Sequence, residues 1–194
     1  MISENKPIFN IIAAYTKDGR VLGDDSPSGM PWGLTLKKDM RNFRRLTAGN
    51  TLAVGPNTLP HVEDLHDPDG LKLKRNVVVV ASDNSRLPKT NCPVVPNLYE
   101  AMLMIHTDPL KFGDMYVAGG ARTYGEALNL LRSEMSLHIG TCAYLYATEI
   151  DGLFTGNAFM PELDANYWHE LSREPQMPDT PGGPSYDFVT YRFN

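Results

Sequence analysis

"MYVAGGARTYGEAL" (residues 115–128) decides the fold class of this 194-residue chain. A short apolar run rich in β-formers meets Gly119-Gly120, and a helical pattern starts at once: strand, glycine turn, helix. Glycines let another backbone or a ligand approach closely, and a helix N-terminus offers unpaired N–H groups to an anion. Arg122, Thr123 and Tyr124 add side-chain donors. The spacing is not that of the common dinucleotide fingerprint, so by itself the turn reads either as a tight connection or as a phosphate cradle. "AVGPNT" (53–58) repeats the device, with Gly55 after a strand and Thr58 placed to cap or to bind phosphate. Two such turns suit a ligand with several phosphates, held at the carboxyl ends of strands.

Working outward, "IFNIIAAY" (8–15), "NTLAVG" (50–55) and "NVVVVAS" (76–82) read as further buried strands. "TLKKDMRNFRRLTAG" (35–49), "LYEAMLMIHT" (98–107) and "ARTYGEALNLLR" (121–132) read as the helices between them. Alternation of this kind predicts an α/β fold with a central, mostly parallel, twisted sheet and helices on both faces. "LHIGTCAYLYATEI" (137–150) reads as one long strand or two. After Trp168, "REPQMPDTPGGP" reads as a Pro/Gly loop and "SYDFVTYRF" alternates as a strand, which predicts an antiparallel edge hairpin at the C-terminus. No repeat or linker divides the chain, so residues 1–194 are expected to form a single domain, with 61–75 as an exposed polar loop.

A second stretch carries a contradiction. In "GMPWGLTLKKD" (29–39) a Gly-Met-Pro-Trp-Gly turn runs into a helix, with Thr35 expected as N-cap and Gly49 beyond the C-terminus. At helical spacing Leu36, Met40, Phe43, Leu46 and Thr47 share one arc, and Lys37, Lys38, Arg41, Arg44 and Arg45 lie opposite. Asp39 falls inside the apolar arc. It either serves the helix dipole or pairs with a lysine, or it is a buried acid that grips a cationic, amidine-like heterocycle by two hydrogen bonds. An apolar setting raises the pKa of such a group.

Composition narrows the classes. The chain is 42% hydrophobic and 21% charged with a net charge of −5, which suits a globular protein and argues against nucleic acid as partner. Two cysteines, Cys92 and Cys142, make neither a disulfide framework nor a metal pattern, and the five histidines lack zinc-like spacing, so no metal is expected. No apolar run reaches the ~18 residues of a membrane span, and "IFNIIAAY" is too short and interrupted for a signal core. A cytoplasmic location, in a cell or an infected host, is the expectation.

In this order the motifs resemble dihydrofolate reductase over nearly the whole chain, and "MPWGLTLKKDMRNF" is similar to the bacteriophage members. The resemblance implies reduction of dihydrofolate to tetrahydrofolate by hydride from NADPH, with NADH open as a second donor. It implies that Asp39 holds the pterin, that Trp32 and Thr148 order water beside it, and that Met30 rides on a loop closing over the nicotinamide. Ala14, Met40, Phe43 and Leu71 would form apolar walls. Ala13, Leu22 and Gly23 would lie along the nicotinamide. Gly55, Thr58, Gly119, Gly120, Ala121, Arg122, Thr123 and Tyr124 would hold the nucleotide. The family's basic pair after the second glycine turn is Pro56-Asn57 here, so Ser82, Ser85 or Arg86 would take the ribose phosphate. The arginine that binds the folate carboxylate falls at Lys74, with Arg75 or Arg44 as substitutes, and the acid of the late loop falls at Asn157. A related reductase of a pyrimidine or riboflavin precursor, or a reductase-fold protein without turnover, are the alternatives.

Overall fold

A valine run shows how the sheet is placed. In Asn76–Val80, Val78 and Val80 enter one buried cluster while Val77 and Val79 enter another. A strand buried on both faces needs no polar alternation, which is why this segment is continuously apolar. The first strand behaves alike: Phe9, Ile11, Ala13 and Tyr15 face the first cluster, and Ile12 faces the second.

The computed structural model describes residues 7–65, 75–83, 85, 87, 89–133 and 143–194. In chain order they form β1 (Phe9–Thr16), β2 (Val21–Gly23), α1 (Lys37–Thr47), β3 (Thr51–Val54), α2 (Leu59–Val62), β4 (Asn76–Val80) and β5 (Val94–Val95). There follow α3 (Leu98–Thr107), α4 (Pro109–Phe112), β6 (Met115–Val117), α5 (Ala121–Leu131), β7 (Ala143–Ile150), β8 (Ala158–Phe159), β9 (Trp168–Gln176) and β10 (Tyr186–Phe193).

Eight strands make one sheet in the order β5-β4-β3-β6-β1-β7-β10-β9. The pairings from β5 to β7 are parallel, and β10 runs antiparallel to both its neighbours. The α/β architecture with an antiparallel C-terminal edge is therefore as the sequence predicts. α3 and α5 cover the first cluster through Leu98, Met102, Ile105, Leu128 and Leu131, while α1 lies on the other face with Phe43 and Leu46. None of the helices among the described residues is long and apolar enough to cross a membrane.

Three local expectations are corrected. The segment expected as a loop after Trp168 is β9 as far as Gln176, Pro175 included. β9 is the sheet's last strand, where a residue without an N–H is tolerated. Thr35 is not the N-cap of α1: Leu36 holds that place without a side-chain bond, and Thr35 Oγ1 donates to the Trp32 carbonyl at 2.9 Å. The segment 61–75, expected as an exposed polar loop, starts inside the helical turn α2 with Val62 buried, continues as a 3-10 turn at Glu63–Leu65, and ends on the buried Arg75. Residues 66–74 and 137–142 lie outside the described residues.

The antiparallel edge is fastened by a polar network. Glu149 Oε1 accepts from Tyr15 at 3.0 Å and Tyr191 at 2.7 Å, and Arg173 donates to Glu149 at 2.8 Å and to Asp187 at 2.7 Å. Glu149 and Asp187 are each 9% exposed, so these bonds replace most of the solvation their charges lose. The network ties β1, β7, β9 and β10 together, next to Thr148.

Candidate active site

One cleft of about 1100 Å³ opens along the carboxyl ends of the parallel strands. At one end is Asp39, in the first turn of α1. Thr148 Oγ1, near the end of β7, donates to Asp39 Oδ1 at 2.6 Å. Burial pushes the Asp39 carboxyl above the usual carboxylate range; the Thr148 hydrogen bond opposes this, and the negative charge of Asp179 adds to it. No ion pair reaches Asp39 among the described residues, so the reading in which a lysine neutralises it is set aside.

Trp32 is 5% exposed and joins Leu36, Ile150 and Tyr186 in a small buried cluster, with Ala14, Met30 and Phe154 against it. Its ring meets Phe154 edge-on with centroids 6.1 Å apart. Met30, Met40 and Phe43 line the cleft beside the acid. An acid set among apolar and aromatic side chains can direct hydrogen bonds at a flat, partly cationic ring while its own proton affinity stays high.

The other end is built by the two glycine turns. Gly55 N donates to Gly119 O at 2.7 Å, so the turns after β3 and β6 are joined backbone to backbone. A Cβ on Gly55 would stand 2.8 Å from Thr123 Oγ1, and one on Gly119, at φ +125°, would stand 3.0 Å from Thr58 Oγ1. The absence of both side chains leaves a cradle into which the N-terminus of α5 opens, with Gly120 as its N-cap. Arg122 Nη2 donates to Ser82 Oγ at 3.2 Å, bringing both residues to the cleft wall. Arg122 is the one arginine or lysine among the described lining residues at this end. A helix N-terminus, a glycine cradle and an arginine suit a phosphorylated nucleotide.

Between the two ends lies the β2–β8 ribbon, which pairs Val21 with Phe159 and Gly23 with Ala158. Asn157 N donates to Gly23 O at 3.0 Å, so the loop ahead of β8 is clipped to the strand that leads into the Met30–Trp32 loop. Gly156 is obligatory there, because a Cβ would lie 2.3 Å from Gly23 O.

The cleft gathers the residues expected from the sequence. Ala13, Ala14, Leu22, Gly23, Met30, Trp32, Asp39, Met40, Phe43, Arg44 and Thr148 line it, as do Gly55, Thr58, Ser82 and the run Gly119–Tyr124. Tyr124 also ties the fold together at the cleft wall: its hydroxyl donates to the Ile12 carbonyl at 2.9 Å, fixing α5 to β1. Leu71, Lys74 and Arg86 lie outside the described residues. Arg75, expected at the folate carboxylate, does not line the cleft: it is only 2% exposed, and it donates through Nε to Thr47 Oγ1 at 2.8 Å and through Nη2 to the Arg44 carbonyl, tying the approach to β4 to α1.

Sequence reasoning missed Tyr146, His61 and Glu126, which also line the cleft. Tyr146 was within reach, since strand alternation puts it on the face of Thr148 two residues on. His61, whose Nε2 is 3.0 Å from where a Cβ of Gly29 would be, follows only from the folding of the loop over α2.

Comparison with known proteins gives the same direction. The sequence model of the family "Dihydrofolate reductase" matches residues 8–192. Dihydrofolate reductase HdrB of Haloferax volcanii is 28% identical over 183 residues, 93% of this chain and 81% of that protein. The dihydrofolate reductases of Heliothis virescens and Neisseria gonorrhoeae are 28% and 26% identical, covering 95% and 84% of this chain and 96% and 86% of theirs. The solved structure of the Enterococcus faecalis dihydrofolate reductase, complexed with NADP(H) and RAB-propyl, superposes with a TM-score of 0.69 at 23% identity, covering 97% of this chain and 98% of that one.

Proposed function

The chain belongs to the dihydrofolate reductase family, and we propose that its cleft reduces 7,8-dihydrofolate to 5,6,7,8-tetrahydrofolate with hydride taken from NADPH. The observation that carries the reading is that one cleft unites Asp39, bonded to Thr148, with the joined glycine turns at Gly55 and Gly119. The nicotinamide supplies the hydride when bound; the protein supplies orientation, a closed apolar setting and a place for the proton.

Asp39 holds the pterin by its amino group and adjacent ring N–H, and Thr148 fixes the carboxylate oxygen that it contacts. The raised proton affinity of Asp39 keeps a proton in the cleft closer to neutral pH, where the substrate can take it up and become the better hydride acceptor. Trp32 orders water beside that contact, and Met30 lies on the covering loop, while Ala14, Met40 and Phe43 form the walls. At the other end the Gly55–Gly119 cradle and the start of α5 take the pyrophosphate, with Ala13, Leu22 and Gly23 along the nicotinamide.

NADPH is preferred over NADH on the strength of Arg122 and Ser82, which put a cation and a hydroxyl together where Pro56 and Asn57 offer no charge. The folate carboxylate is received by Arg44, which lines the cleft from the end of α1. The test is a steady-state comparison of NADPH and NADH with dihydrofolate, followed by loss of reduced-nicotinamide absorbance. Turnover with NADPH is the expected result. No turnover, with tight binding of NADPH and methotrexate by calorimetry, would leave a binding protein, and no methotrexate binding would point to another substrate.

A further inference from the structure

α1 begins in an unusual way. Its N-cap residue, Leu36, has no side chain able to accept a hydrogen bond, yet the N–H of Lys38 is satisfied. The acceptor is Asp179 Oδ2 at 2.7 Å, delivered from 141 positions away by the loop that joins β9 to β10. The same carboxylate accepts from the Tyr186 hydroxyl at 3.1 Å and lies 3.4 Å from Lys38 Nζ. The Asp179 side chain is 4% exposed, so it is a built part of the structure and not a passing surface contact.

Asp39 is the next residue after Lys38 and lies in the same first turn. The positive end of a helix stabilises an ionised carboxylate in that turn. Left alone, α1 would therefore favour the charged form of Asp39, against the high proton affinity that the proposed reaction needs. We propose that Asp179 is a positioning residue for the cleft acid: reaching over from the β9–β10 loop, it caps α1 and offsets the helix's positive end beside Asp39. The inference rests on the reading of Asp39 as the acid of the pterin site.

The two carboxyls are driven apart. Burial works against the charge of Asp179, but hydrogen bonds from Lys38 N and Tyr186 and the Lys38 ammonium outweigh it and hold Asp179 below the usual carboxylate range. Asp39 is pushed up, first by burial and further by Asp179. Two acids at one helix end thus take different roles, one favoured in its charged form and one able to hold a proton. The other groups around Asp39 are Thr148 of β7, Tyr124 of α5 and Tyr186 of β10; on α1 itself Lys38 pairs with Asp179, and Arg41 acts on Tyr186. Asp179, unlike these, combines a negative charge with a hydrogen bond to the helix end.

Asp179→Asn keeps an acceptor for Lys38 N and removes the charge, and Asp179→Ser provides a second uncharged cap if the first folds poorly. In the full chain, the Asp39 carboxyl is titrated by NMR with 13C-labelled aspartate, its signal identified by loss in Asp39→Asn. The expected result is a midpoint lowered by about half a unit to one unit in either variant, with the falling limb of the pH–turnover profile moving to lower pH by the same amount. An unchanged Asp39 midpoint beside a lowered melting temperature would overturn the proposal and leave Asp179 a structural cap. The carboxyl titration needs no turnover, so it decides the role of Asp179 even in a protein that fails to reduce dihydrofolate.

Discussion

Thr148 Oγ1 donates a 2.6 Å hydrogen bond to Asp39 Oδ1, joining the end of β7 to the first turn of α1 across 109 positions of sequence. The bond fixes the rotamer of the acid and partly offsets the cost of its burial. It also makes the site depend on the antiparallel edge, because β7 is held between β1 and β10 by the Glu149 network one residue further on.

Asp39→Asn preserves shape and removes the proton-holding group. Turnover at neutral pH should fall by about 10²- to 10⁴-fold, with partial recovery at low pH, where the substrate is already protonated. Stability should move the other way. A carboxyl whose folded pKa is raised, as burial raises that of Asp39, contributes stability that is fully present below its unfolded pKa of about 3.9 and is lost as pH rises through the folded pKa. Melting temperatures of the two proteins should therefore diverge from pH 4 to pH 7, with the asparagine variant ahead at pH 7.

Arg122→Met should raise the KM for NADPH by about 10- to 100-fold, the loss of one or two charge-assisted hydrogen bonds. The KM for NADH should change little, since that cofactor lacks the extra phosphate. Added salt should weaken NADPH binding to the native protein and have much less effect on the variant. Equal losses for both cofactors would place Arg122 on the pyrophosphate instead.

Arg44→Lys keeps the charge and gives up the planar fork. The KM for dihydrofolate should rise by about tenfold or more with kcat nearly unchanged. A dihydropterin without the glutamate tail should be reduced equally well by both proteins. Arg75→Lys, by contrast, gives up the bonds to Thr47 and to the Arg44 carbonyl and should lower stability to urea.

Gly156→Ala tests the β2–β8 ribbon. The added Cβ would meet Gly23 O at 2.3 Å and Val21 Cγ1 at 2.5 Å, so the ribbon has to open. Overpacking of this kind costs about 1–3 kcal/mol, measurable by urea unfolding. Because Gly23 and Leu22 line the cleft, the KM for NADPH should rise together with the loss of stability.

Local pattern was enough for much of this. Val77–Val80 and Phe9–Tyr15 announced strands buried on two faces, and Gly119-Gly120 announced a strand-to-helix turn, because strand and helix periods and glycine freedom are properties of neighbouring residues. The arc of α1 likewise exposed Asp39 as a carboxylate on an apolar face. The end of β9 reads as a loop because Pro175 looks like a loop residue until its edge position is known. Thr35 was read as a cap because the true acceptor, Asp179, is remote in sequence.

The sequence by itself thus determined the α/β class, the two glycine turns and the acid that does not fit a scaffold helix. Tertiary structure decided which partners those features meet: Thr148 for Asp39, Gly119 O for Gly55 N, Asp179 for the bare end of α1, and Ile12 for the Tyr124 hydroxyl. The division is physical. Periodicity is written in neighbours three or four residues apart, whereas a buried carboxyl takes its proton affinity from the desolvation and hydrogen bonds of chain segments that only folding brings together.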